Sequence, residues 1–200
     1  MELVLTLTLL IVGQVVLMGT LGPGTLAATA VMVVAQLWQL GAVRCFWHQV
    51  PQRARESITA WRWRRELLWA SIACVLASAV TLGLRQLLPE DADGMRWVRS
   101  ILAHPLGWVG IAVLAPLVEE VVFRALIFEA WPQAWPRWVP ALLTSGLFAL
   151  AHLNAITAPL LFALALAWQS AYVRTRSIVP GLVGHMALNA ASCLALAAAA

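Results

Sequence analysis

Long apolar runs separated by short polar breakers occupy almost the whole chain. Read by length and spacing, they predict seven helices, at residues 2–20, 24–46, 67–84, 106–129, 139–153, 157–173 and 178–198. The breakers are of different kinds. "LGPGT" (21–25) separates the first two helices. Residues 48–66 are polar, arginine-rich and studded with tryptophan, as expected of a segment lying along a membrane interface. "RQLLPEDADGMRWVRS" (85–100) reads as a polar loop, and "WPQAWPRWVP" (131–140) as a tight turn at headgroup depth. "LNAITAP" (153–159) and "RTRSIVPG" (174–181) form the last two turns. The first stretch lacks the basic flank of a signal peptide, carries Glu2 and runs into further spans, so it reads as a retained helix.

Composition turns this pattern into a fold class. Hydrophobic residues make up 62% of the chain and charged ones 11%, against roughly 25% charged in a soluble domain. The mean hydropathy is +0.84. The expectation is an all-α, polytopic transmembrane helix bundle of about seven helices, without a separate soluble domain. All 13 basic residues are arginine. They are scattered through inter-helix loops, which argues against nucleic acid as a partner and for a topology signal with affinity for the lipid bilayer. Arg44, Arg53, Arg55, Arg62, Arg64, Arg65, Arg137, Arg174 and Arg176 fall on one side; Arg85, Arg96 and Arg99 fall on the other. That bias predicts a cytoplasmic N-terminus. Cys45, Cys74 and Cys193 have no paired spacing and read as packing residues.

Few ionisable groups remain inside the spans, and each costs at least about 2.5–3.5 kcal/mol there. They are Glu119, Glu120 and Arg124 in the fourth helix, His152 at the end of the fifth and His185 in the seventh, with Asn189 as a buried amide. His48 and His104 fall in loops. Glu120 and Arg124 are four residues apart, stacked on one face and placed to pair as a structural clamp. Glu119 is turned by about 100° from Glu120, so the two carboxylates cannot share one direction and Glu119 is left to face a cavity. Phe148 and His152, and His185 and Asn189, repeat the four-residue spacing, with Phe148 as packing against the cavity wall. By rise per residue all these polar groups lie roughly 10–20 Å from the cytoplasmic ends of their helices. Three helices thus bring polar stripes to one depth, which predicts a polar intramembrane cavity.

A carboxylate facing such a cavity is a candidate general base, and a histidine across a water molecule can share that task. A second histidine and an amide are donors suited to a developing oxyanion. Glu119, His152, His185 and Asn189 can therefore compose a site that hydrolyses an amide bond. The residues that serine, zincin and aspartyl intramembrane proteases need are missing: there is no G-x-S-x-G, no H-E-x-x-H and no pair of intramembrane aspartates. Other readings of the polar set are a non-catalytic membrane immunity or scaffold protein and a transporter or proton relay.

"EEVVFR", "FALAH" and "HMALN" fit E-E-x-x-x-R, F-x-x-x-H and H-x-x-x-N, in order and on separate helices. In this the chain resembles the CPBP family (CAAX proteases and bacteriocin-processing enzymes, also called ABI), a set of glutamate-dependent intramembrane endopeptidases. The resemblance divides the chain into N-terminal membrane helices, 1–104, and a catalytic core, 105–198. It implies Glu119 as the base that activates water, His152 as its assistant, His185 and Asn189 as oxyanion donors, and Glu120 with Arg124 as the frame. The implied substrate is a peptide or a membrane-anchored protein tail, and the implied setting is a bacterial inner membrane. No cofactor is required by this set. Zinc on Glu119, His152 and His185 is the alternative.

Overall fold

The computed structural model describes residues 2–21, 24–59 and 63–199. Arg62, counted in the topology signal, lies outside them. The fold is all-α, and helices occur at all seven expected places. They are α1 (Glu2–Leu21), α2 (Leu26–Cys45), α4 (Trp63–Arg85), α6 (105–130), α7 (Trp138–Ala151), α8 (Ala158–Thr175) and α9 (Val179–Ala198). Among the described residues, Leu26–Cys45, Arg64–Leu84 and Val179–Ala198 are long and apolar enough to cross a membrane, and Trp138–Ala151 is a shorter apolar helix. This is an integral membrane protein.

Two further helices appear where the sequence pattern predicts polar connections. The interfacial segment contains α3 (Gln52–Thr59), and its last residues already belong to α4. Glu66 lies in the first turn of α4, where a carboxylate complements the helix dipole. The expected loop at 85–100 instead ends in α5 (Ala92–Leu102). Asp93 sits in its first turn and Arg99 in its last, again matching the dipole, and Asp93 pairs with Arg96 one turn on. Ile101 anchors α5 by full burial.

α6 is one helical run with two changes of winding. Gly110–Leu114 and Glu120–Ile127 are π-helical, between the α-helical pieces Pro105–Val109, Ala115–Glu119 and Phe128–Ala130. A π-turn carries an extra residue and shifts the phase of everything after it. That shift begins at Glu120, in the middle of the charged motif.

The chain forms two compact units that interleave in sequence. The first comprises Met1–Val50, Ala92–Val118 and Asn189–Ala200, and the second Pro51–Asp91 and Glu119–Leu188. The sequence division between residues 104 and 105 falls inside the first unit. Within the first, Gly107 passes so close to the Ile101 backbone that a β-carbon would collide with its carbonyl oxygen. His104 Nε2 contacts the Gly24 carbonyl at 3.1 Å.

Within the second unit, α4 and α8 pack through small residues. Ala73 and Ala77 meet Ala165, Trp168 and Ala171 in a core that also contains Phe148 and Leu164. Small side chains allow the close backbone approach that membrane helices use in place of a hydrophobic driving force.

Candidate active site

Four of the predicted polar residues converge in the second unit. The Glu120 and Arg124 side chains are almost fully buried, 0% and 1% exposed, and Arg124 Nε lies 3.3 Å from Glu120 Oε2. Arg124 Nη2 donates to the Ala165 carbonyl at 3.3 Å. Its guanidinium carbon lies 5.0 Å from the Phe148 ring centre and 5.8 Å from that of Trp168. The intrahelical clamp is thus as expected, with a cation held against aromatic faces besides.

His185 changes the expected arrangement. Its Nδ1 lies 3.2 Å from Glu120 Oε1 and its Nε2 lies 3.5 Å from Glu119 Oε2. Glu119 thus faces His185 across the polar site, while Glu120, expected to serve only the arginine, reaches the same histidine. The two carboxylates share no direction, yet they share one histidine, because an imidazole presents a nitrogen on each of two edges. The π-helical winding that opens at Glu120 also alters the α-helical phase on which that expectation rested. The Glu119 side chain is 24% exposed, which leaves it the accessible member of the pair.

His152 sits differently from the prediction too. The fifth helix, expected over 139–153, stops at Ala151. Leu153 adopts a left-handed backbone with φ 51°. The Asn154 side-chain oxygen accepts from the amides of Ile156 and Thr157 at 3.0 and 3.2 Å, a local turn that competes with helix. His152 is the exposed residue at the helix end. Its Nδ1 lies 2.9 Å from the Phe148 carbonyl oxygen, which accepts a hydrogen bond from it and leaves Nε2 outside that contact. Among the described residues no hydrogen bond joins His152 to Glu119 or His185. Phe148 links the two histidines instead, with ring centres 4.9 Å from His152 and 5.9 Å from His185.

Asn189 belongs to the first unit, four residues beyond His185 on α9. Its Nδ2 donates to the Ile111 carbonyl at 3.0 Å, within the first π-helical piece. One of its two amide protons thereby serves as helix-to-helix glue. Among the described residues no three His, Cys, Asp or Glu side chains gather as metal ligands.

Trp168 and Gly181, near the charges, escaped sequence reasoning, and the contact made at Gly184 was not read from it. Trp168 is buried and stacks on His185. A β-carbon at Gly184 would lie 3.3 Å from Trp168 Nε1, and one at Gly181 would lie 2.6 Å from Glu120 Oε2. The one signal in the sequence is that Gly181 stands four residues before His185, hence on its face. We expect Gly181→Ala to force the pinned Glu120 carboxylate aside and to destabilise the protein by about 1–3 kcal/mol. Gly146→Ala is the control, since nothing lies within 4 Å of a β-carbon there. Thermal unfolding of both variants in detergent checks this; equal midpoints would show that the carboxylate is free to move.

Residues 101–191, which carry all three motifs, match the family model described as type II CAAX prenyl endopeptidase Rce1-like. The match agrees with the resemblance those motifs carry. An uncharacterized 24.3 kDa protein of Escherichia coli is 35% identical over 126 residues, which are 60% of this chain and 58% of that protein. The match thus spans less than two thirds of that relative's length. No solved structure matches.

Proposed function

We propose that this chain, with its Rce1-like signature over residues 101–191, is an intramembrane endopeptidase acting on a membrane-associated peptide or protein tail. The observation that carries the reading is the division of labour between the two carboxylates. Both touch His185, but Glu120 is locked to Arg124 in full burial while Glu119 stays partly open. A frame and a working base are thereby separated on adjacent residues.

In the proposed reaction Glu119 takes a proton from water as the water oxygen attacks the scissile carbonyl carbon. His152 Nε2 accepts from the same water and orients it. The tetrahedral oxyanion receives a hydrogen bond from His185. His185 presents Nδ1 to Glu120 and Nε2 to Glu119, so a donor stands at either edge of its ring. When Glu119 becomes protonated, its hold on the His185 Nε2 proton weakens and that proton is shared with the oxyanion without the ring turning. Collapse breaks the C–N bond, and Glu119 returns its proton to the leaving amine. Base, assistant and donor are all side chains, so the scheme needs no metal. The arginine excess in the loops on one side supports a cytoplasmic N-terminus, and the membrane we assign is a bacterial inner membrane.

The test is cleavage, by the purified protein in liposomes, of an internally quenched peptide ending in a prenylated cysteine tail. Its unprenylated twin runs in parallel and reports whether the lipid matters. His152→Ala should lower turnover about 10²-fold or more with helix content unchanged, and 1,10-phenanthroline should leave the wild type active. Full activity in folded His152→Ala would sink the mechanism. Loss of activity on chelation, restored by zinc, would sink its metal-free form.

A further inference from the structure

The indole of Trp168 lies nearly parallel to the His185 imidazole, with ring centres 4.0 Å apart and planes 18° from each other. Phe148 meets both rings edge-on, at 6.2 Å from Trp168 and 5.9 Å from His185. The carboxylates of Glu119 and Glu120 engage the ring edges of His185. A hydrogen bond to Glu120 at one edge and a charge contact with Glu119 at the other restrain the ring within its own plane but leave its tilt free. A flat surface stacked on its face removes the tilt.

Two details set this contact apart from ordinary core filling. The indole edge packs closely over residue 184, where a β-carbon would lie a tight 3.3 Å from Trp168 Nε1 and 3.5 Å from Cδ1. Trp168 Nε1 is buried and has no acceptor among the described residues, whereas a buried tryptophan ordinarily pairs that proton. The residue is therefore seated by its ring face and not through its polar atom.

We propose that Trp168 is a positioning residue for His185, holding the imidazole plane so that both ring nitrogens stay aimed at Glu119 and Glu120. The proposal rests on the role given to His185 above. Gly184 is its close neighbour, the small residue over which the indole edge packs.

The chain contains four histidines, so selective labelling of histidine rings gives an uncrowded NMR spectrum in detergent. The resonances lost in His185→Ala identify that residue. In the wild type its ring C–H signals should be shifted upfield by the indole, and its N–H protons should exchange slowly with water. In Trp168→Leu, which keeps apolar bulk but not a flat face, the shift should vanish and the N–H protons should exchange fast. On the quenched prenylated peptide kcat should fall about tenfold or more, with KM within about twofold of the wild type. Trp168→Phe should restore most of both. A bulk-filling role predicts instead that Phe and Leu behave alike, and slow N–H exchange in folded Trp168→Leu would overturn the proposal. If Trp168→Leu does not fold, Gly184→Ala tests the same contact by crowding the indole edge, and unchanged His185 signals there would be equally fatal. A wild type that cleaves neither peptide would defeat the proteolytic reading, while the His185 resonances would still decide this one.

Discussion

Glu119→Gln should abolish peptide cleavage while leaving the protein folded. The substitution keeps volume and polarity but removes the one carboxylate that, among the described residues, is both in contact with His185 and partly open, 24% exposed. Glu120 cannot take over. Its side chain is fully buried, with one oxygen facing Arg124 and the other facing His185. Loss of a positioned general base costs typically 10²–10⁴-fold, and that is the expected fall in turnover. The amide also retains an oxygen for the His185 Nε2 proton, so the local hydrogen bonding survives. A folded, inactive variant should hold its substrate uncleaved, and mass spectrometry of what co-purifies with Glu119→Gln from membranes would identify it. Wild-type turnover in folded Glu119→Gln would remove the proposed base and with it the mechanism.

Arg124→Ala should fail differently, by loss of stability before any question of chemistry. The guanidinium is the buried cation facing Glu120. It also donates to the Ala165 carbonyl on α8 and lies against Phe148 and Trp168. Removing one partner of a buried ion pair leaves an uncompensated charge and costs about 3–5 kcal/mol. Arg124→Lys should recover only part of this, because one ammonium cannot reproduce the spaced Nε and Nη2 contacts. Thermal unfolding in detergent, read beside Glu119→Gln, separates the two roles. Arg124→Ala should lower the midpoint strongly and Glu119→Gln should barely move it. A midpoint for Arg124→Ala equal to the wild type would show that the pair does not hold the fold.

The contrast between these variants was half legible in the sequence. The four-residue spacing of Glu120 and Arg124 is a local property of any helix, and the pair forms as the spacing requires. The share of His185 in that pair was not legible, because it depends on how α9 faces α6. The π-helical winding at Glu120 changes that facing by an amount no α-helical template contains. His152 shows the same limit at shorter range. Its motif spacing places it above Phe148, and the contact between the two rings is there. Yet the helix ends at Ala151, with Leu153 in a left-handed backbone beyond it, and the histidine stands at an exposed helix end.

Hydrophobic runs bounded by proline, glycine and arginine settled the class of protein, the places of the seven main helices and the identity of the charges among them. Each of these follows from length, composition or spacing within one helix. α5 was missed because its apolar side is narrow and its ends are charged, a pattern that reads as a loop when only long apolar runs are counted. Only the tertiary structure decided that one histidine serves two carboxylates, that Gly181 lies against Glu120, and that Trp168 lies flat on His185. Those are contacts between residues on different helices. Their geometry is set by the packing phase of α6, α8 and α9, and a one-dimensional pattern does not carry that phase.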